Sequence, residues 1–197
     1  MSPIENKLVK YLTKHTPLSG ELISIIVETS NIKSYKRGTI LLREGELSNE
    51  CYLILKGCVR SYKIKDGEEM IIDFYTEEQP ISPINFGTSI PSEHYLECME
   101  DTVACVGTPD LENEMFRNFP EIESACRIVT ESIMGSYQSS FADFRTTSAE
   151  ERYLKLQKER PELIRRVPQY QFASYLGIKP ESLSRIRRRL IKKNDRS

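Results

Sequence analysis

From Ile32 to Gly107 apolar and polar residues alternate in short runs with a period of two, the spacing of half-buried strands. The runs are ILLREGE from Ile40, CYLILKG from Cys51, CVRSYKI from Cys58, MIIDFY from Met70, YLECM from Tyr95 and TVACVG from Thr102, and Gly45, Gly57, Asp66-Gly67 and Gly107 mark turns between them. Short strands roughly ten residues apart predict a small β-barrel or roll. On both sides of this stretch the period is helical. Leu8, Tyr11 and Leu12, then Leu22, Ile25 and Ile26 beyond Pro17, predict two small helices ahead of the roll. Helical spacing returns after Pro109, and its longest run goes from Pro120 to Phe144.

Within that run Ile122, Cys126, Val129, Ile133, Ser136, Ser140 and Phe144 recur at steps of four and three, close to a coiled-coil seam. The small side chains Ser136, Ser139 and Ser140 allow a partner helix to approach, and Ile128, Met134 and Phe141 lie off the seam, where they are expected to pack on the body of the protein. The alternative is a core helix buried in its own subunit. A self-associating helix is preferred because a two-fold dimer suits the C-terminus. Next, Ser148 followed by Glu151 makes a capping box, Tyr153, Leu154 and Leu156 offer apolar contacts, and Pro161 limits the helix. These shifts suggest three regions: 1–119, a roll; 120–145, a dimerisation helix; and 146–197, a C-terminal domain.

The last thirty residues read as two short helices broken by a glycine. Phe172, Ala173 and Leu176 share a face of the first, Gly177 stands where a left-handed residue ends a helix, Ile178 plugs the corner and Pro180 suits the first turn of the next. Lys179 is a poor N-cap, which Glu181 near the positive helix end partly offsets. This is a helix-turn-helix. On its second helix Leu183, Ile186 and Leu190 fall on one side, and Glu181, Arg185, Arg188 and Lys192 on the other. Arginine can donate two hydrogen bonds to guanine, and a carboxylate can accept from a cytosine or adenine amino group. Arg185 and Glu181, with Ser184 beside them, are therefore the candidate base readers. Arg188, Arg189, Lys192 and Lys193 lie further along and suit phosphates.

Charge supports this division. The net charge of the 197-residue chain is −1, yet residues 179–197 hold eight basic residues against two acidic ones, leaving 20 basic and 27 acidic residues elsewhere. A basic tail rides on an acidic body, as a nucleic-acid reader requires. No apolar stretch approaches a membrane span and no signal core opens the chain, so a cytoplasmic location is expected. Five cysteines without a Cys-x-x-Cys, and only His15 and His94 to join them, point to reduced, mostly buried thiols and to no metal site. No Gly-rich phosphate loop and no nucleophile-base spacing is present, so no catalytic residue is assigned and an enzyme is not expected.

At these residues the chain resembles the Crp/Fnr family of bacterial transcription regulators. ASYLGIKPESLSRIRRRL carries the strongest likeness, and its Glu181-x-x-Ser184-Arg185 pattern is similar to the glutamate-x-x-serine-arginine of Fnr-like recognition helices. LLREGELSNECYLILKGCVRSY, from Leu41 to Tyr62, resembles the start of the family's cyclic-nucleotide-binding roll, with Gly45 and Gly57 at its turns. The resemblance implies an α+β chain. Its parts are an N-terminal β-roll of the double-stranded jelly-roll type, a long dimerisation helix and a C-terminal helix-turn-helix domain. It also implies a homodimer on double-stranded DNA. The chain stops soon after the recognition helix, so the wing found in many relatives is expected to be missing.

The effector cassette departs from the family pattern. Members that bind cyclic AMP carry a glutamate and then an arginine that grips the phosphate. Here Pro83 and Ile84 fall near the glutamate position and Ser92 to Tyr95 near the arginine. Between Lys65 and Arg117 there are thirteen acidic residues and no lysine or arginine, and a buried phosphate without a cation is disfavoured. Arg60 or Lys63 would have to reach in from another strand. The effector-pocket candidates are Ile81, Ser82, Pro83, Ile84, Asn85, Glu93, His94 and Tyr95, with His94 able to donate to a ligand. No cofactor is expected: cyclic AMP is disfavoured, no cysteine lies in the first fifty residues for an iron-sulfur sensor, and nothing supports haem ligation. The sequence therefore reads as a homodimeric, sequence-specific DNA-binding regulator unresponsive to cyclic AMP. Its alternative is a regulator whose roll binds a cyclic nucleotide or another small metabolite. RNA polymerase remains a compatible partner without a readable motif; an unknown small-molecule effector is a second, and a membrane is not.

Overall fold

Eight strands form where the period is two, and they assemble into two four-stranded sheets. In a computed structural model, which describes residues 2–14 and 17–194, these are β1 (Ile32–Tyr35), β2 (Ile40–Leu42), β3 (Cys51–Lys56), β4 (Val59–Lys65), β5 (Glu68–Tyr75), β6 (Pro80–Ile81), β7 (Tyr95–Cys98) and β8 (Thr102–Gly107). His15, and Asp195 and Arg196 of the C-terminal charge run, lie outside the described residues. The sheet orders are β1-β8-β3-β6 and β2-β7-β4-β5. The pairs β1–β8, β8–β3, β3–β6 and β2–β7 are antiparallel, as in a jelly roll. Leu42, Tyr52, Ile54, Val59, Ile81, Leu96, Cys98, Ala104 and Val106, drawn from both sheets, make the core between them. Two strands lie beyond the six expected. β1 is short and half polar, and β6 is two residues long at a sheet edge, where Pro80 forfeits no ladder hydrogen bond.

The described residues fall into two compact units, Met1–Ser61 with Phe74–Met134, and Tyr62–Asp73 with Gly135–Ser197. The first holds most of the roll together with helices α1 (Pro3–Thr13), α2 (Gly20–Thr29), α3 (Pro109–Asn118) and the first half of α4 (Pro120–Thr146). Ser2 and Glu5 form a reciprocal capping box on α1, and Ser19 and Thr108 cap α2 and α3. Leu8, Leu22 and Ile26 bury against Leu55 of the roll. Ile122 of α4 packs onto the same cluster.

The second unit carries the rest of α4, then α5 (Ala149–Glu159), α6 (Pro161–Arg166), α7 (Gln169–Tyr175) and α8 (Pro180–Asn194), and with them residues 62–73 at the tip of the β4–β5 hairpin. The Ser148–Glu151 capping box is present, with both of its hydrogen bonds made. Pro161 does more than end α5: it occupies the first position of a separate short helix, where its missing N–H costs nothing. Tyr153, Leu163, Val167, Phe172, Ala173, Leu176, Leu183 and Ile186 form the buried set, and the Tyr153 and Phe172 rings meet edge to face. Leu154, expected as an apolar contact, is exposed.

The long helix forms over the expected range, but its exposed side differs from expectation. Ile128, Met134 and Phe141, expected to pack on the body, are exposed. The large apolar side chains left open to solvent at steps of three and four are Met134 (55%), Tyr137 (50%), Phe141 (64%) and Phe144 (50%). Of the expected seam, Ile122 is covered within its own unit, Cys126, Val129 and Ile133 are half-buried, and Ser136 and Ser140 are exposed.

Candidate nucleic-acid interface

The turn between α7 and α8 is held by backbone geometry. Gly177 adopts φ +70°, its N–H donates to the Ser174 carbonyl (2.9 Å) and the Ile178 N–H donates to the Ala173 carbonyl (3.0 Å). This is the Schellman pattern, which satisfies the last carbonyls of α7 and turns the chain sharply. A Cβ at Gly177 would also press on the Phe144 ring, lying 3.0 Å from its Cζ. Phe144 in turn sits beneath the Arg152 guanidinium, 4.6 Å from ring centroid to Cζ. Arg152 donates to the carbonyls of Thr147 (2.5 Å) and Leu176 (3.0 Å), tying α5 to the end of α7. Sequence reading missed this support, since the partners are residues far apart in the chain.

On α8 the two faces separate as the periodicity requires. Leu183 and Ile186 are buried, Leu190 is half-buried, and Glu181, Arg185, Arg188, Arg189, Lys192 and Lys193 are exposed. Ser184 is half-buried beside Arg185. Arg185 Nε donates to the Glu181 carbonyl one turn back (3.4 Å), so these two candidate readers are adjacent. Arg189 forms an ion pair with Glu150 at the start of α5. Lys179 contributes its carbonyl to the first bonds of α8, from the Ser182 and Leu183 N–H groups.

The cassette between β6 and β7 is built from turns. Ser48, fully buried, donates its hydroxyl to the Ile84 carbonyl (3.3 Å), and its own carbonyl accepts from the Gly87 N–H (2.9 Å). Asn85 holds φ +66° in the bend between them. Ser92 exchanges backbone hydrogen bonds with Gly45 and Glu46, and its hydroxyl both donates to the His94 carbonyl and accepts from the His94 N–H. Of the effector-pocket candidates, Ser82, Ile84 and Glu93 are exposed, and Pro83, Asn85, His94 and Tyr95 are half-buried. Ile81 is a core residue paired with Tyr52 across the β6–β3 ladder.

Arg60 is buried, and its Nε and Nη2 both donate to Glu97 Oε2, at 3.1 and 2.6 Å. Val59 and Leu96, the neighbours of these two residues, belong to the core between the sheets. Strand alternation therefore puts Arg60 and Glu97 on the opposite face, away from the interior. Burial and the nearby Glu112 carboxylate push the Cys51 thiol up to about 12, and burial also raises Cys98, Cys105 and Cys126, so all four are protonated and unreactive at neutral pH. Among the described residues no group of three or more His, Cys, Asp or Glu side chains is placed to hold a metal ion. No described helix is long and apolar enough to cross a membrane.

The sequence profile of the cyclic nucleotide-binding domain family matches residues 32–118, the whole roll from β1 into α3. The roll is therefore similar to a cyclic nucleotide-binding domain. Solved structures extend the likeness to the helices around the domain. FixK2 from Bradyrhizobium japonicum superposes with a TM-score of 0.66 at 18% identity, over 84% of this chain and 86% of that one. A CooA mutant from Carboxydothermus hydrogenoformans gives 0.67 at 15%, over 89% and 82%. The c-di-GMP responsive regulator CLP from Xanthomonas campestris gives 0.64 at 14%, over 96% and 92%. At these identities the likeness is one of fold. No curated protein sequence matches the chain.

Proposed function

We propose that this Crp/Fnr-type chain is a cytoplasmic, homodimeric regulator that binds specific double-stranded DNA through α8, is not an enzyme and does not respond to cyclic AMP. The observation that carries the reading is α8 itself: its apolar face is buried in a helix-turn-helix, while Glu181, Arg185, Arg188 and Lys192 are all exposed on the other. Glu181, Ser184 and Arg185 read bases, and Arg188, Lys192 and Lys193 hold phosphates. Arg189 is shared with Glu150 and contributes less. Duplexes selected from a random pool and titrated by fluorescence test the proposal directly. Binding should weaken steeply with salt. No binding to any duplex at low salt, or affinity indifferent to salt, rejects it.

The case against cyclic AMP is chemical. The cassette holds no lysine or arginine, and the nearest buried cation, Arg60, is engaged by Glu97 on the face away from the interior. A thermal-shift screen is expected to leave the midpoint unchanged with cyclic AMP. A ligand at 100 times its dissociation constant stabilises by about 2.7 kcal/mol, so a clear upward shift overturns the reading. The second reading is a roll that takes another nucleotide or metabolite. CLP is described as c-di-GMP responsive, and that nucleotide belongs in the same screen.

Dimerisation is assigned to α4. The stripe Met134, Tyr137, Phe141 and Phe144 has seam spacing, and the small residues Gly135, Ser136, Ser139 and Ser140 beside it are exposed. Its occupant is a second copy of the chain, since a self-complementary helix face brings two readers to one site. Phe141→Glu is expected to turn the dimer into a monomer in sedimentation at micromolar concentration, with the circular dichroism spectrum unchanged. A dimer that survives this substitution excludes the stripe as its seam.

A further inference from the structure

Residues 62–73, the tip of the β4–β5 hairpin, group with the helices of the second unit. Specific bonds account for this. The Ile71 N–H donates to the Ser174 hydroxyl (3.0 Å), and that hydroxyl donates to the Glu69 carbonyl (3.4 Å), so a side chain of α7 serves as a rung on β5. One step along, the Asp73 carboxylate accepts from the Tyr137 hydroxyl of α4 (3.4 Å) and from Tyr175 of α7, and lies 3.8 Å from Arg160 Nη1 at the α5–α6 junction. The side chains of Asp73 and Arg160 are only 17% and 19% exposed. Burial, and then the Asp73 charge, push the Tyr175 hydroxyl well above the ordinary tyrosine range, so it stays a donor at neutral pH. Glu162 Oε1 also lies 3.8 Å from Arg160 Nε, so removing the Asp73 carboxylate would leave Arg160 its second carboxylate but take from Tyr175 and Tyr137 the group that holds α7 and α4 to β5.

We propose that Asp73 is a positioning residue for the reader. It fastens α7, and through the Gly177 turn α8, to a hairpin whose strands β4 and β5 run back into the roll. The inference rests on α8 being the DNA reader. The fastening touches α7 at Ser174 and Tyr175, and Glu181, Arg185 and Arg188 stay exposed. It therefore sets the orientation of the reading helix without covering it, and loosening it weakens DNA binding through lost pre-organisation.

Backbone amide exchange and duplex titration on the full-length chain test this together. In Asp73→Ala, exchange over residues 169–176 and 62–72 is expected to speed by about tenfold or more while strand 102–107 keeps its protection. Affinity for the selected duplex should fall by roughly five- to twentyfold. Asp73→Glu, which keeps the charge, should restore most of both. By linkage, saturating the unaltered protein with duplex should slow exchange at the hairpin tip. A merely structural aspartate would loosen strand 102–107 as well and leave the tip indifferent to DNA. Unchanged exchange over 169–176 in Asp73→Ala, or a tip unaffected by duplex, overturns the proposal. If Asp73→Ala does not fold, Ser174→Ala removes one rung and gives the same readouts at smaller amplitude. A chain that binds no duplex defeats the DNA reading, while the exchange comparison of the variants still decides whether Asp73 holds α7.

Discussion

Gly57→Ala is expected to destabilise the roll by about 4 kcal/mol, combining about 1–3 kcal/mol of backbone strain with a similar cost of overpacking. Gly57 joins β3 to β4 at φ +112°, a conformation side chains rarely adopt. A Cβ there would lie 2.5 Å from Thr102 Oγ1 and 2.8 Å from Thr102 Cα, and Thr102 is fully buried with its hydroxyl committed to the Glu100 carbonyl. Backbone atoms cannot swing aside as a flexible side chain can. The Gly57 N–H also donates to Glu77 Oε1 (2.9 Å), a bond that a shifted turn would lose. Against a typical domain stability of about 5–15 kcal/mol, such a loss leaves the roll marginal. Urea unfolding followed by circular dichroism should show the midpoint falling sharply, and a midpoint within error of the unaltered chain would show that the turn is free to relax.

The features legible in the sequence are those set by neighbours in the chain. Gly177 and Ile178 announce their turn because the Schellman bonds close within six residues. Six strands are readable because apolar and polar residues alternate along their runs. Pairing partners are what sequence hides. β6 is two residues long and exists only because β3 lies beside it, and nothing around Arg60 marks Glu97, 37 residues on, as its partner. The long helix shows the same limit. Its periodicity supports two stripes, one through Ile122 and Val129 and one through Met134 and Phe141. Only the packing of α1 and α2 over Ile122 decides which is left uncovered. Asp73 carries no local signal at all, since Tyr137 and Tyr175 reach it from two separate helices and Arg160 from the junction between two others.

Arg185→Glu should reduce affinity for the selected duplex by about a thousandfold, close to 4 kcal/mol. The bidentate contact to guanine is worth about 1–3 kcal/mol, and a carboxylate facing guanine O6 and N7 adds repulsion between acceptors. Arg185 is exposed on the face opposite Leu183 and Ile186, so the change leaves the packing of α8 intact and the protein should unfold at an unaltered temperature. The loss should be much smaller on a scrambled duplex, where no guanine is read. Lys192→Ala should behave differently, weakening both duplexes alike and lowering the salt slope by about one. Arg188→Ala should do the same, and Arg189→Ala should do less, because Glu150 already neutralises that guanidinium. If Arg185→Glu instead weakens selected and scrambled duplexes equally while Lys192→Ala changes sequence preference, the division of α8 into base readers and phosphate clamps is reversed. The ordering among Arg188, Arg189 and Lys192 separates a shaped groove-reading helix from a basic surface, since a basic surface would lose affinity equally for each charge removed.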